Sequence, residues 1–253
     1  MSVNIIILNG NPFFESYVQS DALGKSIFLS LYALSICSWS VLIYKIWMTH
    51  QSKKHAFRFY EAFHLQRCNP LSLDCENLNK KKSLNPFLDL YQVLKKQSLD
   101  LLAKNRHFLQ LQVREPISPP SSPSSYLSPG DMDFIAAHVS ARAAQQVNQL
   151  EKYLYILSTT VSLAPFLGLL GTVWGILTTF SELQAHGGGS THQMVLNGLS
   201  LALATTVLGL LDAIPALIGY NYLRNTIRDF SVAMEGFSNE MLGAVELQYC
   251  KVE

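Results

Sequence analysis

An aspartate within an apolar run is the residue of this sequence with the clearest chemical consequence. Asp212 interrupts residues 194–222, which carry no other charge before Arg224. At the centre of a membrane helix a charge costs about 2.5–3.5 kcal/mol on insertion scales, so this acid must face protein or water. Two hydroxyls accompany it. Thr172 stands eight residues before Phe180 and Thr206 eight residues after Gly198; at about 1.5 Å per residue both lie roughly 12 Å along their helices from one membrane face. Such a pair can set a polar ring in an apolar pore, donating to a carboxylate or accepting from its protonated form. The alternative is that each threonine bonds its own i−4 carbonyl and packs a helix interface. Other chemistry is sparse. His186 and His192 flank a triple glycine, a spacing that fixes no metal geometry. The four cysteines, Cys37, Cys68, Cys75 and Cys250, have no Cys-x-x-Cys spacing and read as unpaired thiols. No nucleophile-base-acid set and no phosphate-binding loop is present, so neither an enzyme nor a cofactor is expected. A net charge of +1 argues against nucleic acid as a partner.

The elements that must position these residues are membrane helices. Of the 253 residues 49% are hydrophobic and 15% charged, against about 25% charged in soluble domains. The deficit sits in residues 26–44, 153–181 and 194–222. About 20 apolar residues cross a hydrocarbon core as a helix, so each run is long enough. The fold class is therefore an all-α integral membrane protein with three transmembrane helices and long cytoplasmic helical extensions, in contact with lipid. The first run begins late and follows Glu15 and Asp21, unlike a cleaved signal peptide, and is expected to remain as an anchor. Residues 45–152 hold 15 of the 19 Lys and Arg residues, whereas residues 182–193 hold none. That asymmetry puts the amino terminus outside and the carboxyl terminus in the cytoplasm.

Between these spans the chain divides by composition. Residues 1–25 form an outer amino-terminal segment and 26–44 the first span. Residues 45–115 have amphipathic helical periodicity, as in FRFYEAFHLQ and FLDLYQVLKKQSLDLLAK. Residues 116–130 form a Pro/Ser-rich linker whose prolines deny a helix its donors. Residues 131–181 are expected to run as one unbroken helix, a cytoplasmic stalk continuing into the second span. An outer loop (182–193), the third span (194–222) and a cytoplasmic tail (223–253) follow. A long stalk needs neighbours, which predicts oligomerisation. Gly168, Gly171 and Gly175 supply a face where helix backbones approach closely, and Gly171-x-x-x-Gly175 is the small-residue pattern of associating membrane helices.

The string APFLGLLGTVWGI, residues 164–176, closely resembles the second-helix signature of the TolQ/ExbB family, inner-membrane subunits of proton-driven motors distantly related to MotA. Ser38-Trp39-Ser40 with Lys45 resembles the first helix, and GLSLALATTVLGLLDAIPALIGYN, residues 198–221, the third. Pro165 and Pro215 fall in these signatures and join the glycines as helix-packing positions. The resemblance implies a ring, a pentameric homo-oligomer, in the bacterial inner membrane. It further implies a TolR/ExbD-like single-span partner bearing an essential aspartate, and a periplasm-spanning protein of the TolA or TonB type. Thr172 and Thr206 match the family's pore threonines.

The family's pore-facing glutamate falls at Leu201, while Asp212 stands where family members usually have a small residue. Leu201 and Asp212 are 11 residues apart, close to three turns, and share a helix face. Asp212 is then expected either to take over part of the missing glutamate's role deeper in the pore, or to be protonated and hydrogen-bonded between subunits. Two function classes follow: a proton-channel subunit coupling proton motive force to outer-membrane transport or envelope maintenance, and a non-conducting membrane scaffold of the same family.

Overall fold

The computed structural model describes residues 12–65, 70–72, 85–112, 126–185 and 191–250. Among them run six helices: α1 (Pro12–Gln19), α2 (Ala22–Leu65), α3 (Pro86–Gln112), α4 (Pro129–Glu151), α5 (Leu154–Ala185) and α6 (Thr191–Tyr249). Three stretches are long and apolar enough to cross a membrane: Ala22–Leu65, Pro129–Gln184 and Gly198–Tyr249. The spans read at 26–44 and 153–181 lie within the first two, and the span read at 194–222 overlaps the third from Gly198 onward. The chain folds as two compact units, one of Met1–Ile46 and Tyr153–Arg224, the other of Trp47–Lys152 and Asn225–Glu253.

In the first unit the three spans pack together through small and aliphatic residues. Ser20 Oγ donates to the Tyr17 carbonyl at 2.7 Å at the end of α1, and Asp21 Oδ1 accepts from the Gly24 N–H at 2.9 Å, capping α2. Ile27, Leu31, Ala164 and Ala213 form one buried cluster, with Leu167 and Leu208 packed against it. Phe28, Leu201 and Ala204 form a second. Apolar side chains including Phe166, Val173, Phe180, Leu203, Leu211 and Ile218 point outward and are exposed. So broad an apolar surface suits lipid or neighbouring protein, not water.

The second unit is held by an aromatic core. Phe87 stacks on Phe237 and on Phe230 at ring-centroid distances of 4.7 and 5.7 Å, and Phe59 and Phe63 meet Phe237 edge-on. Between α3 and α4, Asp89 accepts from Arg142 Nε at 2.6 Å and Nη2 at 3.0 Å, and also from Gln146 Nε2. This two-pronged contact holds the guanidinium even higher than the ordinary arginine range. Ser128 begins α4: its Oγ accepts from the Gly130 N–H at 3.2 Å, and its own N–H donates to Asp131 Oδ2 at 3.0 Å.

One boundary differs from the sequence expectation. Residues 131–181 are not one unbroken helix. α4 ends at Glu151, α5 resumes at Leu154, and Tyr153 adopts a φ of 73°, a left-handed conformation rare for a bulky residue. The Lys152 N–H closes the last turn on the Asn148 carbonyl at 3.0 Å, and Lys45 Nζ lies 5.8 Å from the Tyr153 ring centroid. No Gly or Pro marks the break. Residues 223–249 of the tail are helical, as the C-terminal part of α6. Most of the Pro/Ser linker, Cys68, Cys75 and the triple glycine lie outside the described residues.

Candidate functional site

The glycine face of α5 is occupied by the chain's own third span. A Cβ placed on Gly168 would lie 3.1 Å from the Thr205 carbonyl oxygen and from Thr206 Cα; one on Gly175 would lie 2.9 Å from the Gly198 carbonyl oxygen. At Gly171 the space is filled by the Thr205 side chain, whose Cβ and Cγ2 would be 2.6 and 2.8 Å away. The seam is reciprocal, since a Cβ on Gly209 would meet the Ala164 carbonyl oxygen at 2.6 Å and one on Gly198 the Thr179 hydroxyl. Gly168, Gly171 and Gly175 thus line a close helix contact that lies within the protomer. Pro165 and Pro215 sit inside their helices without ending them, both half-buried, beside Ala164 and Ala216 of the packed faces.

The hydroxyls line this seam. Thr206 Oγ1 lies 3.2 Å from the Gly168 carbonyl of the opposite helix and 3.4 Å from its own Ala202 carbonyl. Thr172, one turn beyond Gly168, is half-buried and donates to its own Leu169 carbonyl at 2.6 Å. Both features of the bland alternative, a local carbonyl bond and interface packing, are therefore present in the isolated chain. A threonine hydroxyl so placed still keeps lone pairs for a second partner. Thr205, which sequence reasoning passed over, is completely buried, with Oγ1 2.9 Å from the Ala202 carbonyl and 3.4 Å from the Gly168 carbonyl. The signal that could have found it is its position one residue before Thr206, three and seven residues from Ala202 and Gly198.

Asp212 and Leu201 do share a face, and it is turned toward the first span. Leu201 is buried against Phe28 and Ala204. Asp212 is only 5% exposed, and its Oδ1 lies 3.1 Å from Ser38 Oγ. Its Oδ2 is buried without a hydrogen-bond partner among the described residues. Ser38 Oγ also lies 3.0 Å from the Ser35 carbonyl. A further polar link crosses the bundle nearer the start of α2, where Trp174 Nε1 donates to Asp21 Oδ2 at 2.8 Å. Thus the structure brings Thr206 to Gly168, and separately Asp212 to Ser38, without joining the threonines and the acid in one hydrogen-bonded set.

Comparison with known proteins places these features in context. Residues 106–236 match the MotA/TolQ/ExbB proton channel family, a stretch that contains Thr172, Leu201, Thr206 and Asp212 but not Ser38. The chain is similar to the Biopolymer transport protein ExbB of Aquifex aeolicus, 44% identical over 97 residues, covering 38% of this chain and 65% of that protein. It is similar to the Tol-Pal system protein TolQ of Haemophilus influenzae, 27% identical over 218 residues, 83% of each chain. The Tol-Pal system protein TolQ of Pseudomonas aeruginosa is 28% identical over 197 residues, covering 77% of this chain and 75% of that protein.

Proposed function

Because the chain belongs to the MotA/TolQ/ExbB proton channel family, we propose that it is the channel subunit of a proton-driven inner-membrane motor serving outer-membrane transport or envelope maintenance. The observation that carries this reading is the second and third spans meeting at a glycine seam with Thr206 and Thr205 upon it. A hydroxyl on that seam keeps lone pairs for a second partner beyond the carbonyls it already reaches. To Thr172, Thr206 and Asp212 we assign the ion pathway. Copies of the chain, five by family resemblance, surround the single helix of a TolR/ExbD-like partner, whose carboxyl exchanges protons along the threonine hydroxyls. A TolA/TonB-like protein receives the resulting motion. The amino terminus is periplasmic, the carboxyl terminus and the second unit cytoplasmic. Each proton gains about 2.3 kcal/mol per 100 mV, so a few protons per step drive a conformational change.

Leu201 supports a second reading. Where the family's glutamate falls, this chain buries a leucine against Phe28, which suits a scaffold that keeps the ring without conduction. Native mass spectrometry of the tagged chain from its own membranes separates the two. Five copies with a small single-span protein carrying an intramembrane aspartate are expected. Proton uptake by vesicles holding that complex is then expected to fall at least tenfold in Thr172→Val and Thr206→Val. A ring without such a partner, or a complex that takes up no protons, leaves the scaffold, whereas uptake indifferent to both substitutions removes the threonines from the pathway.

A further inference from the structure

We propose that Asp212 and Ser38 form a proton-binding site inside each protomer, between the first and third spans, in which the acid is held protonated and donates through the serine. This deepens the assignment of Asp212 above, and rests on that reading only for its place in proton-driven work.

The argument is a count of donors and acceptors. Ser38 Oγ has one hydrogen and two oxygens within reach, the Ser35 carbonyl at 3.0 Å and Asp212 Oδ1 at 3.1 Å. If Asp212 were ionised, the hydroxyl would donate to Oδ1, leaving the Ser35 carbonyl without that donor. The carboxylate would then rest on serine hydroxyls alone, Ser38 on Oδ1 with the Ser35 side chain nearby, and no hydrogen bond reaches Oδ2. A buried carboxylate so poorly compensated costs several kcal/mol. If Asp212 carries its proton on Oδ1, the acid donates to Ser38 Oγ and Ser38 donates to the Ser35 carbonyl. The acid and Ser38 then both have an acceptor, and Oδ2 remains as a neutral carbonyl-type oxygen, whose loss of water costs about 1–3 kcal/mol. The neutral relay is the cheaper arrangement.

No opposite charge nearby compensates an ionised form. Between Lys25 and Lys45 the first span has no charged residue, and between Lys152 and Glu182 neither has the second. Lys45 lies two turns beyond Ser38, over the Tyr153 ring. Cys37, the titratable neighbour of Ser38, is exposed on another face. On its own helix the next ionisable residues are Tyr220, Tyr222 and Arg224. Asp212 forms no ion pair among the described residues. The proton can leave only through Ser38 or by movement of the first span away from the third. The site therefore acts as a proton store whose release is coupled to the packing of those two helices.

The test uses the full chain with whatever co-purifies, in lipid nanodiscs, examined by infrared spectroscopy at neutral pH. The C=O stretch of a protonated carboxylic acid is expected in the wild type, lost in Asp212→Asn and displaced in Ser38→Ala, which removes the acid's acceptor. Circular dichroism and native mass spectrometry verify that both isosteric or smaller variants remain folded. Spectra of wild type and Asp212→Asn that coincide in this region mean an ionised Asp212 and overturn the proposal. A band that Ser38→Ala leaves unmoved overturns the relay. Loss of the band on adding sodium at constant pH assigns the oxygens to a metal cation and also overturns it. Proton flux judges the motor reading separately: a band without flux leaves the site and removes the motor, and flux without a band does the reverse.

Discussion

Gly209→Ala should destabilise this protein although alanine is the better helix former, and its effect can be worked from the geometry. The added Cβ would lie 2.6 Å from the Ala164 carbonyl oxygen, 3.3 Å from Ala164 C and 3.3 Å from Gly168 Cα. All three atoms are backbone of the opposite helix, so no side-chain rotation relieves the overlap. The second and third spans must separate by roughly 0.5–1 Å, a gap that forfeits about a quarter to a half of each contact's dispersion energy along the seam. Overpacking of this kind costs about 1–3 kcal/mol, against a propensity gain of about 0.8–1.0 kcal/mol from replacing glycine in a helix interior. The net expectation is a loss of up to about 2 kcal/mol.

Gly236 supplies the control. It lies in the same helix, α6, but nothing stands within 4 Å of the Cβ an alanine would add, so only the propensity gain remains and Gly236→Ala should be stabilising by about 0.8–1.0 kcal/mol. Equilibrium unfolding in mixed micelles, followed by helical circular dichroism, compares the two variants with wild type. One substitution, one helix and two signs are expected. If Gly209→Ala is as stable as Gly236→Ala, the second and third spans do not approach as described, and the reasoning from the glycine seam fails.

Three smaller effects follow from single contacts. Arg142→Lys keeps the charge but cannot reproduce the two-pronged bond to Asp89, so thermal unfolding of the full chain should show a loss of ~0.5–1 kcal/mol, the range of partly exposed ion pairs. Because the Asp89 hydrogen bond raises the Arg142 pKa, the pair's stabilisation is fully present below the ordinary arginine value and fades only above it. A melting curve flat from neutral pH to mildly alkaline pH checks that sign for this pair. Burial first, then Glu246 and Asp131, push the Cys250 thiol up; its alkylation by iodoacetamide at pH 8 should be slower than that of free cysteine, and Glu246→Gln should recover only part of the rate. Trp174→Phe removes the 2.8 Å bond to Asp21, and should cost about 1 kcal/mol and loosen the start of α2, seen as faster hydrogen exchange at the Gly24 amide.

What could be read from the chain depended on whether a feature is set by one helix or by two. The three spans follow from length and hydropathy, and the face shared by Gly168, Gly171 and Gly175 follows from 3.6 residues per turn. That Leu201 and Asp212 lie together follows for the same reason. None of these periodicities says which neighbour covers the face. The glycine face suggested contacts between subunits, and the structure fills it with Thr205 and Thr206 of the same chain. Asp212 suggested a pore, and the residue beside it is Ser38, 174 positions away, a pairing that no local pattern encodes. The break before α5 was hidden for another reason: residues 151–154, Glu-Lys-Tyr-Leu, contain no Gly or Pro, so Tyr153 takes its φ of 73° from its surroundings. A bulky residue in that region costs on the order of 1–3 kcal/mol, and the contact of its ring with Lys45 offsets a part of this, about 0.5–2 kcal/mol. Lys45→Met, which keeps the apolar stem but removes the cation, should therefore weaken the hold on Tyr153 and raise protease access at residues 152–154. An unchanged cleavage rate there would mean that the turn is kept by packing alone.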